Sequence, residues 1–65
     1  MAWLTCDEDG QETIFERHPK RESLSSLGGY WYDTGLNGSV YLPKGSIKKL
    51  IGRELFWSDS PIELK

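Results

Sequence analysis

A single cysteine, Cys6, and a single histidine, His18, limit how this chain can hold itself together. One thiol cannot close a disulfide within the chain. One Cys with one His falls short of the four ligands of a structural zinc site. The chain has 65 residues, which makes residues 1–65 one domain at most. A chain of that size buries only about 60% of the surface its unfolded form exposes. It must rely on an aromatic-rich core or on association with another chain. Three Trp, three Tyr and two Phe are available for such a core, and each large ring buries roughly 150–250 Å².

Turn chemistry divides the chain into elements. "AWLTC" and "TIFER" flank the acidic stretch "DEDGQE". Asp7 at the first and Gly10 at the fourth turn position favour a type I turn with Gly10 left-handed. That geometry, the preferred one, pairs Trp3 with Phe15 and Leu4 with Ile14, whereas a two-residue Asp9-Gly10 turn would pair Leu4 with Phe15. Residues 18–29, "HPKRESLSSLGG", show no strand alternation and read as a mobile loop, with Leu24 and Leu27 resting on the body and room for a helical turn over 23–27. Next, "YWYDT" and "SVYLP" flank "GLNG", and Asn37-Gly38 is a strong hairpin signal. An even-length turn there places Trp31, Val40 and Leu42 on a core face and Tyr30, Tyr32 and Tyr41 on the opposite one.

"PKGSIKKLIGR" is the expected helix. Ser46 suits an N-cap, and Ile47, Leu50 and Ile51 form one apolar stripe. Gly52 suits a left-handed stop. Because two turns cannot stand alone in water, the stripe must pack on the sheet, with Leu50 in the contact. "RELFW" reads as a resumed strand, "SDSP" as a turn and "IELK" as a last short strand. The expected fold class is therefore α+β: a mostly antiparallel sheet of four to five strands, built on two hairpins, with one short helix.

Chemistry is sparse. "TCDEDGQETIFE", 5–16, carries most of the calcium-loop pattern, but Thr5 replaces its first acid and strand-like sequence flanks it. An acidic hairpin turn is the better reading. Cys6 and His18 fall on different elements with no third group to form a nucleophilic site. Asp7, Glu8, Asp9 and Glu12 cluster in one turn, with no pocket to separate their pKa values. A non-enzymatic protein is expected, with no catalytic residue, cofactor or metal.

Binding remains. Net charge is −2, yet residues 44–53 hold Lys44, Lys48, Lys49 and Arg53 with no acid. These four residues are the candidate nucleic-acid contacts, with the tyrosines as stacking partners. An acidic chain argues against that reading. A protein–protein interaction module ranks first, with Tyr30, Tyr32 and Tyr41 or an exposed sheet edge as the contact, and another protein or a second copy as the partner. No stretch approaches the roughly 20 apolar residues of a membrane span. "MAWLTCDEDG" has no basic n-region of a signal peptide. A lone thiol without an export signal fits the cytoplasm.

"LPKGSIKKLIGRELFWSDSPIEL", 42–64, and "DGQETIFE", 9–16, resemble a set of short uncharacterised bacterial or phage-encoded proteins. The resemblance covers about half of the chain. It implies a small intracellular accessory protein of a mobile element. It assigns no activity and transfers no functional residue.

Overall fold

Asp7 and Gly10 close the first turn as their chemistry requires. The Gly10 N–H donates to the Asp7 carbonyl at 2.9 Å, and Gly10 is left-handed at φ 93°. In the computed structural model, which describes residues 2–23, 26, 28–33 and 38–64, this turn joins β1 (Ala2–Cys6) to β2 (Glu12–Phe15). The register is the one the turn dictates, with Trp3 opposite Phe15 and Leu4 opposite Ile14.

The fold is α+β. A four-stranded antiparallel sheet has the order β5-β2-β1-β6, with β5 at Ser39–Leu42 and β6 at Ile62–Leu64. A second hairpin pairs β3 (Lys20–Glu22) with β4 (Tyr30–Tyr32). The helix α1 spans Ser46–Ile51. Alternation gives the sheet two distinct faces. Leu4, Cys6, Ile14, Leu42, Ile62 and Leu64 share one face, and Ile47, Ile51 and Leu55 pack onto it. Trp3, Thr5, Thr13 and Phe15 share the other. Thr5, Thr13 and Phe15 are buried there, and the Trp3 ring meets His18 edge-on at 4.4 Å.

Three expectations about strands and loops fail in this architecture. The strands of 30–34 and 39–43 do not pair with each other: β4 pairs with β3, and β5 pairs with β2. Asn37 and the rest of 34–37 lie outside the described residues. The reason is tertiary. The Trp31 backbone N–H donates to Asp7 Oδ1 at 2.9 Å and its indole N–H to the Cys6 carbonyl at 3.2 Å. These bonds hold β4 beside the first turn, while the open edge of β2 takes β5. The 18–29 stretch is likewise not wholly loop, because β3 lies within it. Leu24 and Leu27, and with them the turn over 23–27, fall largely outside the described residues. Finally, "RELFW" is not a strand. The Phe56 N–H donates to Asp59 Oδ2 at 2.9 Å and the Asp59 N–H to the Phe56 carbonyl at 2.9 Å, which closes a turn instead.

The helix stops as expected, with Gly52 left-handed at φ 82° and its N–H on the Lys48 carbonyl at 2.8 Å. Its start differs. Gly45, at φ 92°, is the N-cap, and Ser46 is the first helical residue. The Ser46 hydroxyl donates back to the Pro43 carbonyl at 2.6 Å. The capping acceptor comes from another element: Glu12 on β2 accepts the Gly45 N–H and the Ile47 N–H, each at 2.8 Å. The stripe is also rotated from expectation. Ile47 is 1% exposed, whereas Leu50 is 55% exposed.

Candidate interaction surface

The edge strand β5, "SVYL", carries no charge and contains no proline. One side of it is taken by β2, and it ends the sheet order. The Glu16 N–H donates to the Gly38 carbonyl at 3.4 Å. In an antiparallel ladder, hydrogen-bonded pairs recur at every second residue. Val40 opposite Ile14 and Leu42 opposite Glu12 therefore also point their amides at β2. The N–H and C=O groups of Ser39 and Tyr41 then point away from the sheet, along an edge that no other strand among the described residues pairs. Beside them, Val40 is 60% and Tyr41 73% exposed. Exposed polar backbone flanked by apolar side chains is a template for another strand. The opposite edge, β6, is shorter, follows Pro61 and carries Glu63.

A second aromatic group lies on the β3–β4 ribbon. Alternation sends Trp31 and Arg21 to its inner face and Lys20, Glu22, Tyr30 and Tyr32 to its outer face. The Tyr30 and Tyr32 rings stand 6.0 Å apart. On the inner face the Arg21 guanidinium carbon sits 4.5 Å from the Trp31 ring and 4.7 Å from the Trp57 ring. Arg21 also donates to the carbonyls of Trp57, at 2.7 Å, and Asp59, at 3.0 Å. A Cβ on Gly29 would run into the Trp57 ring, so this position is glycine for lack of space.

No family model, curated protein or solved structure matches this chain.

Tyr30, Tyr32 and Tyr41 do not share one face of one sheet. Tyr30 and Tyr32 belong to the ribbon, and Tyr41 lies on the β5 edge. Val40, expected in the core beside Trp31, is at the surface next to Tyr41 instead. The signal that marks it is present in "SVYL": a β-forming run without the charges or proline that usually protect an edge.

Lys44, Lys48 and Lys49 are exposed and form no ion pair among the described residues, while Arg53 lies 3.8 Å from Asp59. Lys44 and Lys48 line an open hollow of about 390 Å³ together with Cys6, Glu12, Glu54 and Phe56. Its charge is therefore mixed.

The acidic turn serves as a set of backbone acceptors. Asp7 receives Trp31, Glu8 receives the Gly29 N–H at 2.7 Å, Asp9 receives the Gln11 N–H at 2.9 Å, and Glu12 receives the helix. The calcium-loop spacing is used for hydrogen bonds to the chain itself. Burial pushes the Asp7 carboxyl above its ordinary value; the Trp31 N–H opposes that and Asp9 adds to it. Burial, followed by the charges of Glu12, Asp7 and Asp9, raises the Cys6 thiol. Cys6 faces the helix and His18 packs against the other face of the sheet, so the two are not brought together. No helix among the described residues is long and apolar enough to cross a membrane.

Proposed function

We propose that this chain is a non-enzymatic protein-binding module whose contact is the β5 edge, where it takes up an extended segment of another polypeptide as an added strand. The observation that carries this reading is the uncharged free edge of β5, with Val40 and Tyr41 exposed beside the outward amides of Ser39 and Tyr41. Main-chain hydrogen bonds supply affinity in such binding, and alternating side chains supply selectivity. Tyr41 serves as the amphipathic anchor, and Tyr30 and Tyr32 form a separate aromatic patch on the ribbon.

The second reading is nucleic-acid binding through Lys44, Lys48, Lys49 and Arg53, and it is favoured by the first three having no ion-pair partner among the described residues. Glu12 and Glu54 in the same hollow weaken the field these cations present.

Amide NMR titrations at about 50 and 200 mM salt separate the two, because phosphate contacts weaken steeply over that range. Short uncharged β-forming peptides are expected to shift the 38–42 amides at both salt concentrations. A silent edge with every peptide would refute strand addition. Oligonucleotide-induced shifts at 44–53 that fade with salt would move the second reading to first place.

A further inference from the structure

We infer that the strand added at β5 is β5 of a second copy of this chain, paired antiparallel about a two-fold axis normal to the sheet. This rests on the edge-binding reading above and names its partner.

The backbone parity of the edge carries the argument. Ser39 and Tyr41 are the residues whose N–H and C=O groups point outward, as the Glu16–Gly38 hydrogen bond and the β2–β5 register require. A two-fold axis normal to the sheet keeps the helix-bearing face of both copies on one side. Residues directly opposite each other must then come from the same face. The register that joins the outward groups sets Ser39 of each copy opposite Tyr41 of the other, with both residues bonded through N–H and C=O. Val40 then meets Val40 in the closely spaced, non-hydrogen-bonded position at the centre.

The side chains suit this arrangement. Each Tyr41 ring, 73% exposed in the single chain, falls beside a serine and has room to lie flat. The two Val40 side chains, each 60% exposed, cover one another. No charged residue occurs within 38–43, so the edge meets its own copy without like-charge repulsion. The product is one antiparallel sheet with both β5 strands at its centre. Only four residues per strand pair, so the dimer is small and weak, with Kd on the order of 0.1 mM.

The decisive experiment is sedimentation equilibrium on the whole chain up to about 1 mM protein, with Val40→Lys, Val40→Glu and their equimolar mixture beside the wild type. Val40 is at the surface, so both variants are expected to fold, which circular dichroism checks. Wild type is expected to dimerise. Each variant alone should weaken association at least about tenfold, because like charges meet directly across the axis, and the mixture should regain it. A wild type that stays monomeric throughout overturns self-association. So does a dimer that both variants leave intact, since it would use another face. The synthetic peptide GSVYLP, residues 38–43, separates this inference from the reading beneath it. If that peptide shifts the Ser39–Leu42 amides while the whole chain remains monomeric, edge binding stands and self-pairing falls. If no dimer forms and this peptide is silent together with every other β-forming peptide, both fall.

Discussion

Glu12 shows how one side chain can decide where an element begins. Its carboxylate bridges the N–H groups of Gly45 and Ile47, so the helix is capped from β2, more than thirty positions earlier in the chain. Negative charge at a helix N-terminus adds to the hydrogen bonds. Glu12→Ala is expected to cost about 1–2 kcal/mol in urea unfolding. Glu12→Gln keeps one acceptor oxygen but turns an amide NH2 toward the second backbone N–H and loses the charge, so it should not restore the wild type. Asp7 has the opposite balance. Its folded-state pKa lies above the ordinary 3.8, with burial as the main cause. Between those two pKa values the folded state binds more protons than the unfolded state, so this group's contribution to stability falls as pH rises. The contribution is most favourable below 3.8 and declines through the folded-state pKa. Asp7→Asn can still accept the Trp31 N–H. It is expected to flatten the fall in stability just above pH 3.8, as followed by urea midpoints across pH. An unchanged pH profile would mean that burial does not penalise the Asp7 charge.

At the scale of elements, the first hairpin and the helix stop follow from local chemistry. Asp7 and Gly10 set the turn and its register, and Gly52 ends the helix. The face the helix buries does not follow from the spacing of its apolar residues alone. Ile47, Leu50 and Ile51 form one stripe by period, but a helix of six residues touches the sheet over little more than one turn. The Glu12 cap draws its N-terminus down, so Ile47 becomes the buried contact and Leu50 faces out. Ile47→Ala is expected to cost about 2–5 kcal/mol. Leu50→Ala should stay within about 0.5 kcal/mol, as surface substitutions usually do. Thermal or urea melts that rank the two the other way would mean the helix packs by its other edge. The pairing of β5 was likewise beyond local reading. Asn37-Gly38 signals a turn, but it cannot say which open edge the following strand will find.

In the whole molecule, the ribbon and the C-terminal segment are tied by Arg21. It packs against both Trp31 and Trp57, whose rings meet edge-on with centroids 5.9 Å apart, and it hydrogen-bonds two carbonyls of the 57–59 turn. Cation–π contacts at exposed sites contribute about 0.5–1 kcal/mol each. Arg21→Ala is therefore expected to destabilise by about 1–2 kcal/mol and to change tryptophan emission. Lysine should not restore the wild type, because it lacks the planar fork that stacks and donates at once. Equal stability for Arg21→Lys would show that charge alone holds the segments together. The same assembly divides the tyrosines, leaving Tyr30 and Tyr32 on the ribbon and Tyr41 on the sheet edge.

Several features of this protein were legible without its structure: the α+β class, the bulged first hairpin with its register, the left-handed glycines at 10 and 52, and the alternation that separates Trp31 from Tyr30 and Tyr32. Each depends on neighbours within a few positions, where turn chemistry and side-chain period act directly. The partners of β4 and β5, the β3 strand, the cap by Glu12, the outward turn of Leu50 and the exposed Val40 edge were settled only in three dimensions. Each joins segments far apart in the chain. Which of several open edges or orphan N–H groups receives a given segment depends on what the rest of the fold has already satisfied.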